Sequence, residues 1–528
     1  MTSESSDSLS LYSVWRSALI LTGGAAAIQV LGIVRELFLA TQIGASVHLD
    51  ALLIALSLPA ALPGVLTSGT ATALVPAYLE TRQAAGVEEA RRLAGTVLIW
   101  VSIGGAGIWV VLTAFAGFAV ALTGPGLSAA GRAEAVSFLQ LLAPIAFVTS
   151  ISPILSAVCQ AEGRFVAMSA ASFAGAATTL ATMLLLWDSI GLYGLAIGLL
   201  AGPIVNLTIL LGSMMRASLA PLPALRPGGR LGPFVRHAAP LTFGAAILQL
   251  NIVTDRAVAS LFGPGAVSVL RYADVLVRVP IGAIGPALGS AIYPALVRST
   301  LGGVTDSLAL DTQRALRFAT AVFVPVAMLT AAVAPLAVKL AYGRGAFSVD
   351  ALYATAGAVA AFAPLLLLLM IQPVLVGAHN AGRHGRLLAT GATVNVVLNF
   401  ILDIVLGISL GVIGVALSSS ITVAVVLGFF TWRLSISEAA FSLSPIARTL
   451  GLAMVASAPV TIVAALLCWT GLAPSGVIPG IAALLGIGVL GAIGYLFTAT
   501  WLGMEEPRIL VRLAVGRLFR GRPTGDAE

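Results

Sequence analysis

Arg271, Asp274 and Arg278 fall at i, i+3 and i+7 within an otherwise apolar run. All three therefore project from one face of a helix, where the acid can pair with either cation and positive charge is left over. Asp255 and Arg256 form an adjacent pair one helix earlier, and Arg35 and Glu36 hold the corresponding place near the start of the chain, with Asp50 close behind. An ionised side chain at the centre of a bilayer costs about 2.5–3.5 kcal/mol or more, so such residues face a water-filled cavity or a partner and mark pathways by default. A guanidinium surplus in a cavity suits phosphate, because the planar fork bonds two oxygens at once. The competing explanation is a set of buried ion pairs that fix the helices, but desolvation offsets most of the attraction in such pairs. The pattern predicts Arg35, Arg256, Arg271 and Arg278 as substrate-binding cations. Glu36, Asp50, Asp255 and Asp274 are predicted as gating acids that break and remake ion pairs.

Asn395, Asn399 and Asp403 step by four along one helix face, an arrangement that fits a cation, sugar hydroxyls or hydrogen bonds between helices. Nothing points to catalysis, a metal or a cofactor. His48, His237, His379 and His384 are scattered at helix ends, and only His48, close to Asp50, is retained as a proton-linked candidate. Cys159 and Cys468 sit inside apolar runs with neither metal nor disulfide spacing. Gly486-Ile-Gly-Val-Leu-Gly491 matches G-x-G-x-x-G, but with no strand before it the run reads as helix packing through small residues. Asn206-Leu-Thr208 resembles a glycosylation site yet falls inside an apolar span. A G-x-x-x-x-G-K-[ST] run does not occur, so no P-loop nucleotide chemistry is expected.

The elements that position these residues follow from composition. Of 528 residues 59% are hydrophobic and 9% charged, with a mean hydropathy of +1.04, whereas a soluble domain carries about 25% charged residues. The chain is predicted to be an all-α polytopic membrane protein. Apolar windows of about 20 residues, each long enough to cross the hydrocarbon core, can be laid down about fourteen times. They run roughly over 17–42, 49–79, 93–123, 134–160, 164–187, 191–215, 237–262, 266–297, 316–342, 349–379, 386–408, 411–433, 447–471 and 477–503. The polar leader from Met1 to Leu11 has no basic n-region, so the first span is expected to remain as an anchor.

The formal net charge is +7 and the cations are nearly all arginine, with Lys339 the only lysine. The even-to-odd loops and the two tails hold most of them, including Arg16, Arg82, Arg91, Arg92, Arg164, Arg226, Arg230, Arg298, Arg383, Arg433 and the tail from Arg508 to Arg522. The opposite loops hold little beyond Arg132 and Arg344. That is the positive-inside pattern, which predicts cytoplasmic termini and assigns the basic balance to topology, not to nucleic acid. The tail from Arg508 through Arg512 and Arg517 reads either as an amphipathic helix on anionic lipid or as a solvated basic end.

Sliding the halves by 220 residues reveals an internal repeat. Ala143-Pro144 falls on Ala363-Pro364, Pro153 on Pro373, Gly69 on Gly289, and Gly191-Leu-Tyr-Gly194 on Gly411-Val-Ile-Gly414. With one residue of slippage Glu36 matches Asp255, and Leu58-Pro59 matches Val279-Pro280. The chain thus reads as two six-helix bundles of parallel orientation, roughly 1–215 and 237–433, joined by a cytoplasmic linker at 216–236. Two extra transmembrane helices follow at roughly 434–503 and a basic cytoplasmic tail at 504–528. Parallel repeats around a midplane cavity are a transporter architecture, and Pro59, Pro63, Pro144, Pro153, Pro280, Pro364 and Pro373 supply bends that rocking can use.

With these residues in place, the chain resembles the MurJ/MviN family of lipid II flippases, within the superfamily that also holds multidrug and polysaccharide-lipid exporters. The resemblance rests on Val30-Leu-Gly-Ile-Val-Arg-Glu36, His48-Leu-Asp-Ala51, Leu58-Pro59 followed by Gly69 and Val75-Pro76, Tyr272-Ala-Asp274, and Pro280-Ile-Gly282 leading to Ala287-Leu-Gly289. It implies movement of undecaprenyl-pyrophosphate-linked sugars between leaflets of the bacterial inner membrane, with cavity arginines on the pyrophosphate and the last two helices grooved for the lipid tail. Gln29, Pro63, Gly64, Ser68, Val275 and Arg278 depart from the family pattern, the first three where arginines usually stand.

The function expected is that of a flippase for lipid II or a related lipid-linked oligosaccharide, working by alternating access without nucleotide hydrolysis. Its partners would be the lipid-linked substrate, membrane lipid and cell-wall or polysaccharide biosynthesis proteins. The alternatives are an exporter of exopolysaccharide or O-antigen units, a drug or metabolite antiporter, and a membrane scaffold that transports nothing. An antiporter predicts an acid-rich cavity, against which the arginine surplus argues.

Overall fold

A computed structural model describes residues 4–222, 231–282, 305–381, 385–472, 474 and 476–508. Arg226, Arg230, Arg298, Arg383, His384, the Ala287–Gly289 stretch and the tail residues Arg512, Arg517, Arg520 and Arg522 lie outside the described residues, as do the side chains of Arg16 and His237.

The elements in order are α1 (Glu4–Gln42), α2 (Val47–Ala114), α3 (Ala116–Thr123), α4 (Ala129–Leu142), α5 (Ile145–Ala161), α6 (Phe165–Ile190), α7 (Leu192–Arg216) and α8 (Leu231–Ala259). After a 3-10 turn at Ser260–Phe262 comes α9, described over 266–282. Then follow α10 (Thr305–Tyr342), α11 (Val349–Phe362), α12 (Leu365–Ala381), α13 (Gly385–Leu410), α14 (Val412–Ser437), α15 (Leu443–Trp469) and α16 (Val477–Trp501). Among the described residues every regular element is a helix, as the composition predicts.

Ten helices among the described residues are long and apolar enough to cross a membrane, or eleven if the bent pair Ala129–Leu142 and Ile145–Ala161 is one span. The fourteen windows read from sequence differ from this count for identifiable reasons. The 68-residue α2 is counted once. A straight helix of that length would reach about 100 Å, against about 30 Å of hydrocarbon. It breaks at Gly86, whose φ of 89° and ψ of 172° interrupt the helical path, a conformation a side chain resists. The windows at 237–262 and 266–297 fall partly on residues outside those described.

The 220-residue repeat is a repeat of elements. Both α4 and α11 are 14 residues long, α5 and α12 are 17, and α6 and α13 are 26. Ser128 and Ser348 cap the N-termini of α4 and α11 by accepting the N–H of Gly131 and Ala351. The breaks that follow fall at Ala143-Pro144 and Ala363-Pro364, where proline lacks the N–H that would continue the ladder. Gly191 and Gly411, with φ of 56° and 61°, turn the chain into α7 and α14.

The chain divides into two compact units, Met1–Ser268 and Val269–Glu528. In the first, α2, α5 and α7 meet around Leu74, Tyr78, Ile154, Leu155 and Met214, all essentially inaccessible. Burying each such side chain contributes about 1.5–3 kcal/mol. In the second, α10, α12 and α14 share a core around Leu316, Leu375 and Phe430. A further core joins α10, α15 and α16 through Ala321, Ala453 and Tyr495.

Candidate functional site

A polar seam of the first unit runs between α2 and the chain around α8. Ser46 sits at the N-cap of α2, with extended backbone, and accepts the N–H of Leu49. Asp50, in the first turn, is buried with 2% of its surface exposed. Its two oxygens accept the backbone N–H of Gly265 at 2.7 Å, and the backbone N–H and hydroxyl of Ser268 at 2.7 and 2.5 Å. These N–H groups belong to the turn that opens α9, where free donors and the helix dipole favour an anion.

Seven residues further along α2 comes the second contact. Arg256 of α8 donates through Nη1 to the carbonyl of Leu53 at 2.9 Å and to Ser57 Oγ at 3.1 Å. Ser57 in turn donates to Leu53 O within its own helix. Seven residues further again, Gln249 of α8 lies so close to Gly64 that a Cβ at Gly64 would sit 2.0 Å from its amide nitrogen. Asp50, Ser57 and Gly64 therefore present one heptad-spaced face of α2 to successive partners.

His48 diverges from Asp50. Its Nδ1 lies 2.8 Å from Glu134 Oε2 on α4, while Asp50 turns to Ser268. On α1, Arg35 Nη2 donates to Glu36 at 2.9 Å, with the acid nearly buried and the cation partly exposed. Asp255 is half-buried beside Arg256.

In the second unit the α9 face carries the set predicted from spacing. Arg278 Nε donates to Asp274 Oδ1 at 2.7 Å, and Arg271 Nη1 stands 4.0 Å from Asp274 Oδ2, so the one acid serves both cations. All three side chains are partly or largely exposed. Tyr272, between them in sequence, is buried and packs on Tyr342 and Phe347.

Asn395, Asn399 and Asp403 are all buried on α13. Asn399 Nδ2 donates to Asp403 Oδ2 at 3.0 Å, and Ser418 of α14 donates to Asp403 Oδ1. Sequence reasoning missed Ser418, although the repeat holds a signal for it. The positions 220 residues earlier are Gly175, Thr179, Met183 and Gly198. There α6 and α7 close to backbone contact, and a Cβ on Gly198 would meet Thr179 O at 2.6 Å. Where the first repeat has a glycine-lined crossing, the second has a buried carboxylate with amide and hydroxyl partners.

The helices α10, α15 and α16 line a half-open cavity of about 500 Å³. Its walls include Val326, Leu329, Val460, Gly488 and Leu496, with Tyr495 donating to Ala321 O at 2.6 Å at one side. The glycine run on α16 lies inside a helix, as its lack of a strand predicts. Gly491 approaches Leu329, whereas Gly486 and Gly488 face open space. Beyond α16, Glu506 accepts from Arg317 of α10 at 2.7 Å and from Thr449 of α15 at 3.3 Å, tying the last helix to its neighbours.

A family model described as lipid II flippase MurJ matches residues 39–476. A lipid II flippase MurJ of Burkholderia cenocepacia is 29% identical over 310 residues, covering 54% of this chain and 57% of that protein. A probable lipid II flippase MurJ of Haemophilus influenzae is 27% identical over 376 residues, 67% of this chain and 73% of that protein. Among solved structures, lipid II flippase MurJ in an inward closed conformation superposes with a TM-score of 0.77 at 20% identity, over 94% of this chain and all of that one. An inward-facing MATE multidrug resistance transporter of the MOP superfamily gives 0.61 at 16% identity, over 79% and 94%. At these identities the structural likeness is one of fold.

Proposed function

This chain belongs to the lipid II flippase MurJ family, and we propose that it carries an undecaprenyl-pyrophosphate-linked sugar, lipid II or a related lipid-linked oligosaccharide, across a bacterial inner membrane by alternating access. The observation that carries the reading is the family match over residues 39–476. A guanidinium surplus supports the diphosphate as the group recognised, because Arg271 and Arg278 on α9 share the single carboxylate of Asp274 and leave positive charge over.

Each of these cations has a partner to exchange. Arg35 would leave Glu36, Arg256 would leave α2, and Arg271 and Arg278 would share Asp274 with the incoming phosphate oxygens. Glu36 and Asp274 would remake their contacts once the substrate has gone, whereas Asp50 is held by the N–H groups of Gly265 and Ser268. The apolar cavity among α10, α15 and α16 suits part of the lipid tail. Alternating access would come from rocking of the two six-helix bundles read at 1–215 and 237–433, with two further helices at 434–503 and both termini cytoplasmic.

The drive is an ion gradient or the membrane potential, worth about 2.3 kcal/mol per charge per 100 mV. Asp403 with Asn399, Asn395 and Ser418 is the place for a coupling cation, since a carboxylate, two amides and a hydroxyl are hard oxygen donors.

The test is complementation of a strain depleted of its own lipid II flippase. Rescue by the wild-type chain, lost with Arg271→Ala or Arg278→Ala at equal membrane levels, is the expected result. Correct insertion without rescue overturns lipid II as the cargo.

A further inference from the structure

Two prolines lie inside α10, Pro325 and Pro335. Each lacks the N–H that would bond the carbonyl four residues earlier, so Ala321 O and Ala331 O lose that partner within the helix. In hydrocarbon no water can stand in, and an orphaned carbonyl is costly. Both carbonyls are taken up by the helix pair that follows the second repeat. Tyr495 of α16 donates to Ala321 O at 2.6 Å. The indole N–H of Trp469, at the end of α15, donates to Ala331 O at 3.3 Å. At about 100° and 1.5 Å per residue the two carbonyls stand about 80° apart round α10 and about 15 Å apart along it, so each helix of the pair meets one of them.

The half-open cavity lies between these two bonds, its α10 wall running from Ala321 to Leu329. Ala453, Tyr495 and Ala499 are packed together at one end of it, and Leu336, Ala464 and Cys468 at the other. Helices in lipid have no hydrophobic drive to associate, and are held by van der Waals contact and interhelical hydrogen bonds. A gap of about 500 Å³ forgoes the first over its lining, so the second must hold the helices there. We propose that Tyr495 and Trp469 are positioning residues for the lipid tail: by bonding the carbonyls that Pro325 and Pro335 free, they fix α15 and α16 at the spacing that keeps the cavity open. The inference rests on the reading that the cargo is a polyprenyl diphosphate lipid whose tail enters this cavity. Gly488, Gly491 and Ala492 on α16 leave the space unfilled, and a Cβ on Gly488 would touch nothing within 4 Å. Without the two bonds, α16 closes on α10 and regains the missing contact at the expense of the tail.

The experiment uses the full chain in lipid nanodiscs and, as probe, undecaprenyl pyrophosphate carrying a photoreactive diazirine on its tail. Crosslinked peptides are located by mass spectrometry, and thermal unfolding of each variant is followed in parallel. In the wild type the label is expected on the stretches 321–329, 457–461 and 488–496. Tyr495→Phe keeps the ring and removes the donor, so labelling there is expected to fall about fivefold, the worth of one hydrogen bond, with a lower unfolding temperature. Pro325→Ala combined with Tyr495→Phe gives Ala321 O an N–H within α10 again. Stability is then expected to return while labelling stays low, which a merely structural role would not produce. Labelling that returns with stability, or that never falls in Tyr495→Phe, overturns the positioning role and leaves the tail site standing. Label on the wild type outside these stretches overturns the tail site and the positioning role together, and no labelling anywhere overturns the diphosphate lipid as cargo as well. If Tyr495→Phe does not fold, Trp469→Phe with and without Pro335→Ala, at the more exposed end, decides by the same comparison.

Discussion

Asp50 and Ser268, 218 residues apart, are joined twice, the carboxylate accepting both the backbone N–H and the hydroxyl of the serine. The contact stitches the first turn of α2 to the entry of α9, and its removal strands donors in a buried place.

Asp50→Ala is expected to destabilise the protein by about 1–3 kcal/mol, because the N–H groups of Gly265 and Ser268 lose their acceptor out of reach of water. Asp50→Asn retains one acceptor oxygen and is expected to lose less. Thermal unfolding in detergent, followed by tryptophan fluorescence, ranks the two. Equal stability of Asp50→Ala and wild type would refute the assignment.

Gly64→Ala is expected to stay within about 0.5 kcal/mol of wild type, since the new methyl meets only the flexible end of the Gln249 side chain, which can swing aside. A loss above about 2 kcal/mol in thermal unfolding, recovered in the double variant with Gln249→Ala, would show instead that Gln249 is held in place.

Two glycines in apolar helices should respond in opposite ways. In Gly202→Ala the added Cβ meets Thr179 Oγ1 at 2.2 Å and Gly175 O at 2.6 Å, so α6 and α7 must separate. Gly486 on α16 has open space around it, and Gly486→Ala should fall within about 0.5 kcal/mol of wild type. Proteolysis rates of the two variants in detergent give the comparison.

Glu506→Ala leaves Arg317, about one quarter exposed, without its 2.7 Å partner, while Glu505 at 3.6 Å offers a weaker one. A loss of about 1–3 kcal/mol is expected, between the values for exposed and buried pairs. Double-mutant cycles with Arg317→Ala should return a coupling energy of similar size, and additive effects would dissolve the pair.

Sodium is expected to stabilise the wild type by up to about 2.7 kcal/mol at a hundred times its dissociation constant, through mass action on the folded state. Asp403→Asn should abolish the increment while keeping the Ser418 hydrogen bond possible. A sodium increment unchanged in Asp403→Asn would remove this residue from ion coupling.

The helical class, the membrane-spanning elements and the two-fold repeat were legible in the amino-acid sequence, because each has a local cause. Apolar runs form helices in lipid since the backbone must satisfy itself. Ala143-Pro144 and Ala363-Pro364 break helices through the missing proline N–H, wherever the rest of the chain goes. The spacing of Arg271, Asp274 and Arg278 likewise foretold a shared acid, since residues three and four apart on one helix are neighbours. Partners far apart in the chain were decided only by tertiary structure. That Arg256 bonds Ser57, that Gln249 covers Gly64, that Asp403 meets Ser418 and that His48 turns away from Asp50 all depend on the register in which helices pack. Register is set by the summed fit of whole helix faces, and no single stretch of residues carries it.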